Sequence, residues 1–548
     1  MATDPHEPLP MVPAETPLTD INHQESGARC SSITPPRSRF SPVILIIPIA
    51  IICRLAIMLP STTNFRILEV AACRFWYYLH DPEAIPPSGR IPDELCSIAD
   101  VNQYYAAMAS ILALGDGVGT VLGCGAASYF GSRVGRKPVL LGVLAIAMAG
   151  QLSTVISQLL NGWLEFAFFF LWAVCQSIGS VATTTFVVNM YIVDISEAEE
   201  RTAALSKVAG WAALGAALSF SLGGSITTQS HSTLTVYLVS LAVVALACVY
   251  IVLVLPESFP ISKRDELRCR REEETLTAPR SWAKEMQSSL AVILEPLWQL
   301  KPTYNPSTGE LNWRLVYCAI HVFIVTVADG YAVLAMILFF TTRYQYTPAE
   351  TGYVLTTLNI TGVFVLTAII PWIVRHLRPL YKRKQRVELP QDNLTLDSDG
   401  GSSSPNLGNI DPETSDPLDV HITIGSWVVE SLAYIAVAAT TTLASQLAAV
   451  VCIGFGAGRV PVFCSLVAAT VDPLKQGEAM ASIEMVASMG MILSPIIMGS
   501  ILTSTIATMP QIIFYVHAAI ILAGSSVLFL LRDGDRFQKP AIVLEGDD

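Results

Sequence analysis

Charge is what this chain has least of. Asp, Glu, Lys and Arg make up 14% of its 548 residues, against roughly 25% in an ordinary soluble domain. That shortage excludes a string of soluble domains. The formal net charge of −12 and the lack of a basic stripe argue against a nucleic-acid partner. A Walker-type lysine loop is missing, which excludes ATP hydrolysis as an energy source. Gly115-Asp116-Gly117-Val118-Gly119 has the glycines of a nucleotide loop, but a dinucleotide fingerprint needs a strand before it and a helix after it. No zinc-type Cys/His spacing and no nucleophile elbow occur, so the reading is of a non-enzyme without metal or cofactor. The first 39 residues, polar and proline-rich, lack the apolar core of a cleavable signal peptide and read as a disordered tail.

Apolar residues are abundant instead: 52% of the chain, with a mean hydropathy of +0.51. A bilayer core takes about 20 of them per helix. Candidate spans lie near 41–62, 103–128, 138–160, 163–190, 205–227 and 233–255, then near 314–341, 350–374, 421–443, 446–470, 477–505 and 510–531. Spans four and seven are long enough to tilt or project from the bilayer. Positive charge sets orientation. With both termini cytoplasmic, the outside loops hold only Arg66, Arg74, Arg90 and Arg343, Arg54 and Arg459 fall inside spans, and every other Lys and Arg is inside.

The predicted organisation is a tail (1–40), a first six-helix unit (41–256), a cytoplasmic linker (257–313), a second six-helix unit (314–531) and a tail (532–548). The linker's run from Lys263 to Glu274 suits an amphipathic helix on the membrane surface. Residues 375–420 begin basic and turn acidic and Gly/Ser/Pro-rich, which reads as a disordered loop. There Ser402 to Ser404 are phosphorylation candidates or mere spacer. The sequons at Asn359 and Asn393 fall in a span and an inside loop, so neither is expected to carry a glycan.

The two units repeat weakly. Leu218-Ser-Phe-Ser-Leu-Gly-Gly-Ser-Ile226 and Leu493-Ser-Pro-Ile-Ile-Met-Gly-Ser-Ile501 share Leu, Ser, Gly, Ser and Ile at one offset. The same offset aligns Gly215 with Gly490. Span five thus matches span eleven, as a duplicated unit requires. Small residues Gly115, Gly119 and Gly123 recur on one face of span two, where they let a neighbouring helix approach.

Residues 131–137, Gly-Ser-Arg-Val-Gly-Arg-Lys, join spans two and three. They resemble the signature loop of the major facilitator superfamily, G-x-x-x-D-R-x-G-R-K. Arg133, Gly135, Arg136 and Lys137 match, Ser128 replaces the first Gly, and Ser132 replaces the Asp. Asp194 at the end of span four and Arg201 after it are also similar to this family, and Gly135-Arg-Lys-Pro-Val-Leu140 resembles fungal members. The resemblance covers residues 41–531. It implies an all-α membrane protein with twelve transmembrane helices in two pseudo-symmetric six-helix bundles. The implied activity is secondary active transport of a small organic molecule by a monomer in the plasma membrane, coupled to protons and leaning to export of a metabolite or xenobiotic.

Within that resemblance, Gly135 permits a tight turn and Arg136 pairs with Asp194. The family's acidic loop residue faces the start of span eleven and favours a closed inner gate. Ser132 cannot supply its charge but can accept a hydrogen bond from a free N–H at that helix end. The basic loop can also be only a topology anchor. Two drug-antiporter motifs are incomplete. Cys175 stands where span four usually has Arg before Gly179. Span five keeps Gly223 and Gly224 without a preceding Pro, while Pro495 occupies the equivalent place in span eleven.

An ionisable group at bilayer depth is costly and therefore a functional candidate. Arg54, Asp116, Asp329, Glu430 and Arg459 fall near span centres, and Glu484 about two turns into span eleven. The resembled fold lines its cavity with spans one, four, seven and ten. Arg54 and Asp329 would then face each other, Asp329 or Asp116 would carry the proton, and Arg54 with Arg459 would bind an anionic substrate. A static interhelical ion pair is the structural alternative for each, most of all for Glu430, because span nine is usually peripheral. His321 and His517 read as packed, hydrogen-bonded residues. Cys73 and Cys96 share the outside loop 63–102, an oxidising setting. They form a disulfide closing about 22 residues or remain two thiols. That Cys-bearing loop is similar to the proton-coupled folate transporter group, which keeps nutrient import as an alternative; a transporter-like receptor that moves nothing is the other.

Overall fold

The computed structural model describes residues 42–82, 91, 96, 99–160, 162–230, 232–277, 294–304, 311–344, 346, 348–388, 417–505 and 508–531. Among these, eleven helices are long and apolar enough to cross a membrane, and a shorter apolar helix, Val43–Met58, precedes them. The described residues of 40–548 group as one compact unit. The tails, residues 389–416 with Asn393, and Ser402 to Ser404 lie outside the described residues.

Span one is the helix Pro42–Met58, shorter than its hydropathy suggests. Pro60, which has no N–H to continue the ladder, precedes a new helix, Ser61–His80. The sequence reading placed a loop here from residue 63; the correction has a packing reason. Leu68 and Ala71 of this helix bury against Phe169 and Trp172 of span four, which offsets the cost of ordering it.

Span two is Ala99–Arg133 and span three Arg136–Leu159. Span four is split into Trp163–Ile178 and Val181–Ile195. The split falls at Gly179, where a Cβ would lie 2.9 Å from the backbone nitrogen of Ala147 on span three. Ser180 restarts the helix by accepting a hydrogen bond from the Thr183 N–H, the usual N-cap arrangement. Spans five and six are Arg201–Ser230 and Thr233–Val254.

The linker contains the helix Ile261–Thr277 and a two-residue antiparallel ladder, Thr303–Tyr304 with Leu311–Asn312. The helix turns Leu267 onto Phe259 and Leu474, while Ile261 at its start is exposed.

Span seven is Arg314–Tyr344. Span eight runs as Pro348–Phe364, a π-helical turn Val365–Ile369, and Ile370–Glu388. Its last turns correct the expectation of disorder from 375 onward. Arg378 there is buried and hydrogen-bonded, and that anchorage holds the basic stretch helical. Span nine is Pro417–Ala439. Span ten is Leu443–Phe455 and Arg459–Ala468 joined by the 3₁₀ turn Gly456–Gly458. Spans eleven and twelve are Gln476–Thr505 and Ile512–Ser526.

The halves are built alike. Span one packs on five as seven packs on eleven, three on six as nine on twelve, and two on four as eight on ten. Between halves, span two meets eleven and span five meets eight. Glycines make several of these approaches possible, as small residues do in membranes. A Cβ at Gly215 would strike the Ile51 carbonyl, one at Gly119 the backbone of Ser177, and one at Gly123 the Ile178 carbonyl at 2.5 Å. Gly115 is a correction: nothing lies within 4 Å of its Cβ position, so that register of the span-two face contacts no helix. Gly223 is buried in span five, and Pro495 sits inside the helix of span eleven.

Cys73 and Cys96 form a disulfide beside Tyr77 and Val101. By loop closure it is worth ~3 kcal/mol. The Cys73→Ser, Cys96→Ser double variant is expected to speed amide exchange in Ser61–His80 by about a hundredfold, as that energy implies. Unchanged exchange would show that the crosslink stabilises nothing.

Candidate functional site

Three charged arrangements and a cavity lined by both halves stand out among the described residues. The first lies at the face carrying the 131–137 loop. Gly135 adopts φ 113°, a backbone conformation that suits glycine. Arg136 then enters span three and folds back, its Nε donating to Asp194 Oδ2 at 2.9 Å, with the two side chains 3% and 4% exposed. Its guanidinium stacks on Phe259 at 4.8 Å. A Cβ at Gly477, the second residue of span eleven, would lie 2.5 Å from its Nη2. Arg136 is thus bonded to the end of span four and packs its guanidinium against the start of span eleven, across the two halves.

The sequence reading missed Glu257. Its carboxylate accepts from the backbone N–H of Arg136 at 2.8 Å and of Lys137 at 3.2 Å, capping span three as an acidic group at a helix N-terminus should. Pro256-Glu257-Ser258 directly after an apolar span was the available signal. Ser132 Oγ donates to its own helix at Tyr129 O, 3.0 Å. Arg133 stacks on Tyr129, and Lys137 Nζ donates to the Val252 carbonyl. Arg201 is buried at the start of span five.

The second arrangement lies at the same face on the other side. Arg378 Nη2, from span eight, donates to Asp419 Oδ1 of span nine at 3.3 Å and to Thr202 Oγ1 of span five at 3.2 Å. The Thr202 hydroxyl lies 2.7 Å from Asp419 Oδ2 and 2.8 Å from Ser465 Oγ of span ten. All four residues are buried. Both charged residues fall in the stretch 375–420 expected to be a disordered loop, where an ion pair at two helix ends looks like an orientation signal.

The third arrangement lies deep in the second half. Arg459 Nη2 donates to Asp329 Oδ1 at 3.2 Å, and its Nε lies 3.0 Å from Glu430 Oε2. The Arg459 guanidinium also stacks on Trp427 at 4.8 Å. Glu430 is fully buried, whereas the Asp329 side chain keeps 29% exposure. Tyr434, one turn on from Glu430, packs on His517 with ring centroids 4.3 Å apart. His321 Nδ1 lies 2.9 Å from the Gly524 carbonyl, and its ring packs on Trp427 and Phe463.

This triad corrects two pairings expected from sequence. Asp329 faces Arg459 within its own half, and Arg54 instead donates to Thr185 Oγ1 at 3.3 Å. Arg459 is already held by two carboxylates, which removes it from the anion-binding pair. Glu430 is the third member of the cluster although span nine is peripheral, because Gly456 lets span ten approach closely: a Cβ there would lie 3.0 Å from that of Glu430. Asp116 is exposed on span two and makes no ion pair among the described residues. Glu484 is half-buried, with no basic partner among the described residues.

The cavity, about 270 Å³, is walled by spans one, four and five of the first half and eight and ten of the second. Arg54 is its single charged lining residue; Thr184, Thr185, Asn189 and Asn359 supply its other polar groups. Arg54 is twelve residues into the 17-residue helix of span one, about 18 Å along it, so the cavity lies between the ends of the spans.

Like-built halves, a cavity shared between them, and buried contacts of Arg136 with Gly477 and of Thr202 with Asp419 across the halves at one face are the plan of a two-bundle membrane transporter. The sequence profile of the Major Facilitator Superfamily matches residues 95–387. The chain is 44% identical over 450 residues to the Major facilitator-type transporter psiT1 of Psilocybe cyanescens, covering 81% of this chain and 95% of that one. The human organic anion transporter MFSD10 (TETRAN) superimposes with a TM-score of 0.58 at 13% identity, over 89% of this chain and 100% of that one. The proton:xylose symporter XylE, bound to 6-bromo-6-deoxy-D-glucose, gives 0.57 at 11%, over 89% and 96%. The chain belongs to the Major Facilitator Superfamily: it is a multi-pass membrane transporter and not an enzyme.

Proposed function

We propose that the protein is a proton-coupled secondary active transporter that exports a small organic molecule across the plasma membrane, with both termini cytoplasmic. The observation that carries this reading is the Asp329–Arg459–Glu430 triad. One guanidinium faces two carboxylates, so the cluster is charge-balanced when it holds one proton and carries a net negative charge when it holds none. At bilayer depth that difference is energetically large. Asp329, the more open carboxylate, is the entry point.

Span ten links the proton to the substrate. Ala457, Val460 and Pro461 line the cavity on either side of Arg459. The glycine-rich 3₁₀ turn Gly456–Gly458 and the π turn of span eight interrupt two facing spans, and such irregular turns mark hinges. Movement of Arg459 on protonation is thereby passed to the cavity wall. The ties at Arg136 and Thr202–Asp419 hold the cytoplasmic face shut, the outward-facing state of an alternating-access cycle. The exporting direction rests on the resemblance to fungal members of the family.

Vesicles with opposed pH gradients, challenged with compounds that thermally stabilise the purified protein, test this. Substrate flux is expected to run opposite to the proton gradient, outward with respect to the cytoplasmic face as protons move in. In Asp329→Asn and Glu430→Gln gradient-driven accumulation should fall at least about tenfold, because a fixed neutral side chain cannot cycle a proton, while substrate exchange without a gradient persists. Wild-type pH dependence in both variants would remove the triad from the proton path.

A further inference from the structure

We infer that the transported molecule is a small organic anion, a carboxylate or phosphate monoester, whose acidic group is bound by Arg54. This rests on the transporter reading, since the cavity it concerns is the one above.

The argument starts from charge balance. Arg136, Arg378 and Arg459 each hold a carboxylate of the protein: Asp194, Asp419, and Asp329 with Glu430. Arg54 holds none among the described residues. Its one hydrogen bond goes to the Thr185 hydroxyl, and its buried Nε has no partner. That hydroxyl spends its own proton on the Val181 carbonyl at 2.8 Å, so its oxygen is an acceptor for Arg54 and offers no negative charge. Leaving a guanidinium unpaired at this depth is costly, and the cavity walls supply no acid to offset the cost. A ligand that brings the missing negative charge does.

The geometry narrows the ligand further. A guanidinium fork matches the two oxygens of a carboxylate or phosphate. Asn189 and Asn359 stand on walls contributed by opposite halves; their amide nitrogens donate to Cys464 Sγ and the Leu355 carbonyl, which leaves the amide oxygens for polar substituents, and the remaining lining is mostly Ala, Val, Leu and Ile. A volume of about 270 Å³ lies at the small end of ligand sites, which suits a single-ring body. Because Arg54 sits on the first half and the Ala457–Pro461 wall on the second, a bound anion is gripped from both sides of the hinge.

The test uses the full chain in lipid nanodiscs and four probes of one size: benzoate, phenyl phosphate, benzylamine and benzyl alcohol. One or both anions are expected to raise the melting midpoint, and which of them does separates carboxylate from phosphate recognition. Benzylamine and benzyl alcohol should leave it unchanged. Arg54→Gln should weaken the anion response about thirtyfold or more in half-saturating concentration, as loss of a buried charge partner does; Arg54→Lys should retain part of it. An elution profile like wild type establishes that Arg54→Gln is folded. An anion response that survives in Arg54→Gln, equal stabilisation by benzylamine or benzyl alcohol, or no stabilisation by either anion would overturn the inference. The gradient assay on Glu430→Gln is independent. No anion stabilisation of the wild type, together with gradient-driven flux that falls in Glu430→Gln, overturns the role of Arg54 alone; anion stabilisation that is lost in Arg54→Gln, together with wild-type pH dependence in Glu430→Gln, overturns the coupling alone.

Discussion

Arg459→Leu is expected to deplete folded protein in the membrane, the largest loss among single substitutions in the triad. The wild-type guanidinium lies within 3.3 Å of both Asp329 carboxylate oxygens and 3.0 Å from Glu430. Leucine fills much of the volume but leaves two carboxylates facing each other, one fully buried. Removing one partner of a buried ion pair costs ~3–5 kcal/mol, a large share of the ~5–15 kcal/mol that holds a typical protein folded. The measurement is the yield and melting midpoint of detergent-purified protein. Adding Asp329→Asn and Glu430→Gln to Arg459→Leu should recover most of the loss, because all three charges then disappear together. A single variant as stable as wild type would mean that water reaches the triad freely.

The second large effect is expected in Arg136→Ala, and it is conformational. This side chain pairs with Asp194, stacks on Phe259 and presses on Gly477 at the start of span eleven. Its loss strands a buried carboxylate and unties two helices that belong to different halves. If ~3 kcal/mol of bias toward closure is lost, the balance between closed and open forms of this face moves more than a hundredfold. Spin labels placed on the ends of spans four and eleven read the distance across the face. Their distribution should shift to longer separations in Arg136→Ala and only partly so in Asp194→Asn, which keeps a hydrogen-bonding side chain. Identical distributions would reduce the 131–137 loop to an orientation signal.

Much of the architecture was legible along the chain because hydropathy is summed locally. Span positions agree within a few residues wherever a single helix crosses. They diverge at Pro60, at Gly179 and in the last turns of span eight, where a break or an extension depends on neighbours: Trp172 against Leu68, Ala147 against Gly179, Asp419 against Arg378. The pairing of Arg136 with Asp194 was readable because a motif resemblance supplied both residues. Glu257 had only its place directly after a span as a signal, and a carboxylate there looks the same whether it caps a helix or meets water.

The sequence by itself determined a twelve-span membrane chain with a duplicated plan, the family it belongs to, and a short set of charges that had to be explained. Only the tertiary structure decided which of them meet. Asp329 and Arg459 are 130 residues apart, and whether a helical side chain faces its own bundle, the shared cavity or lipid depends on rotation about the helix axis. Span composition leaves that rotation unspecified, and packing at residues such as Gly215 and Gly456 fixes it. The same packing gave Arg459 two acidic partners and left Arg54 with none among the described residues.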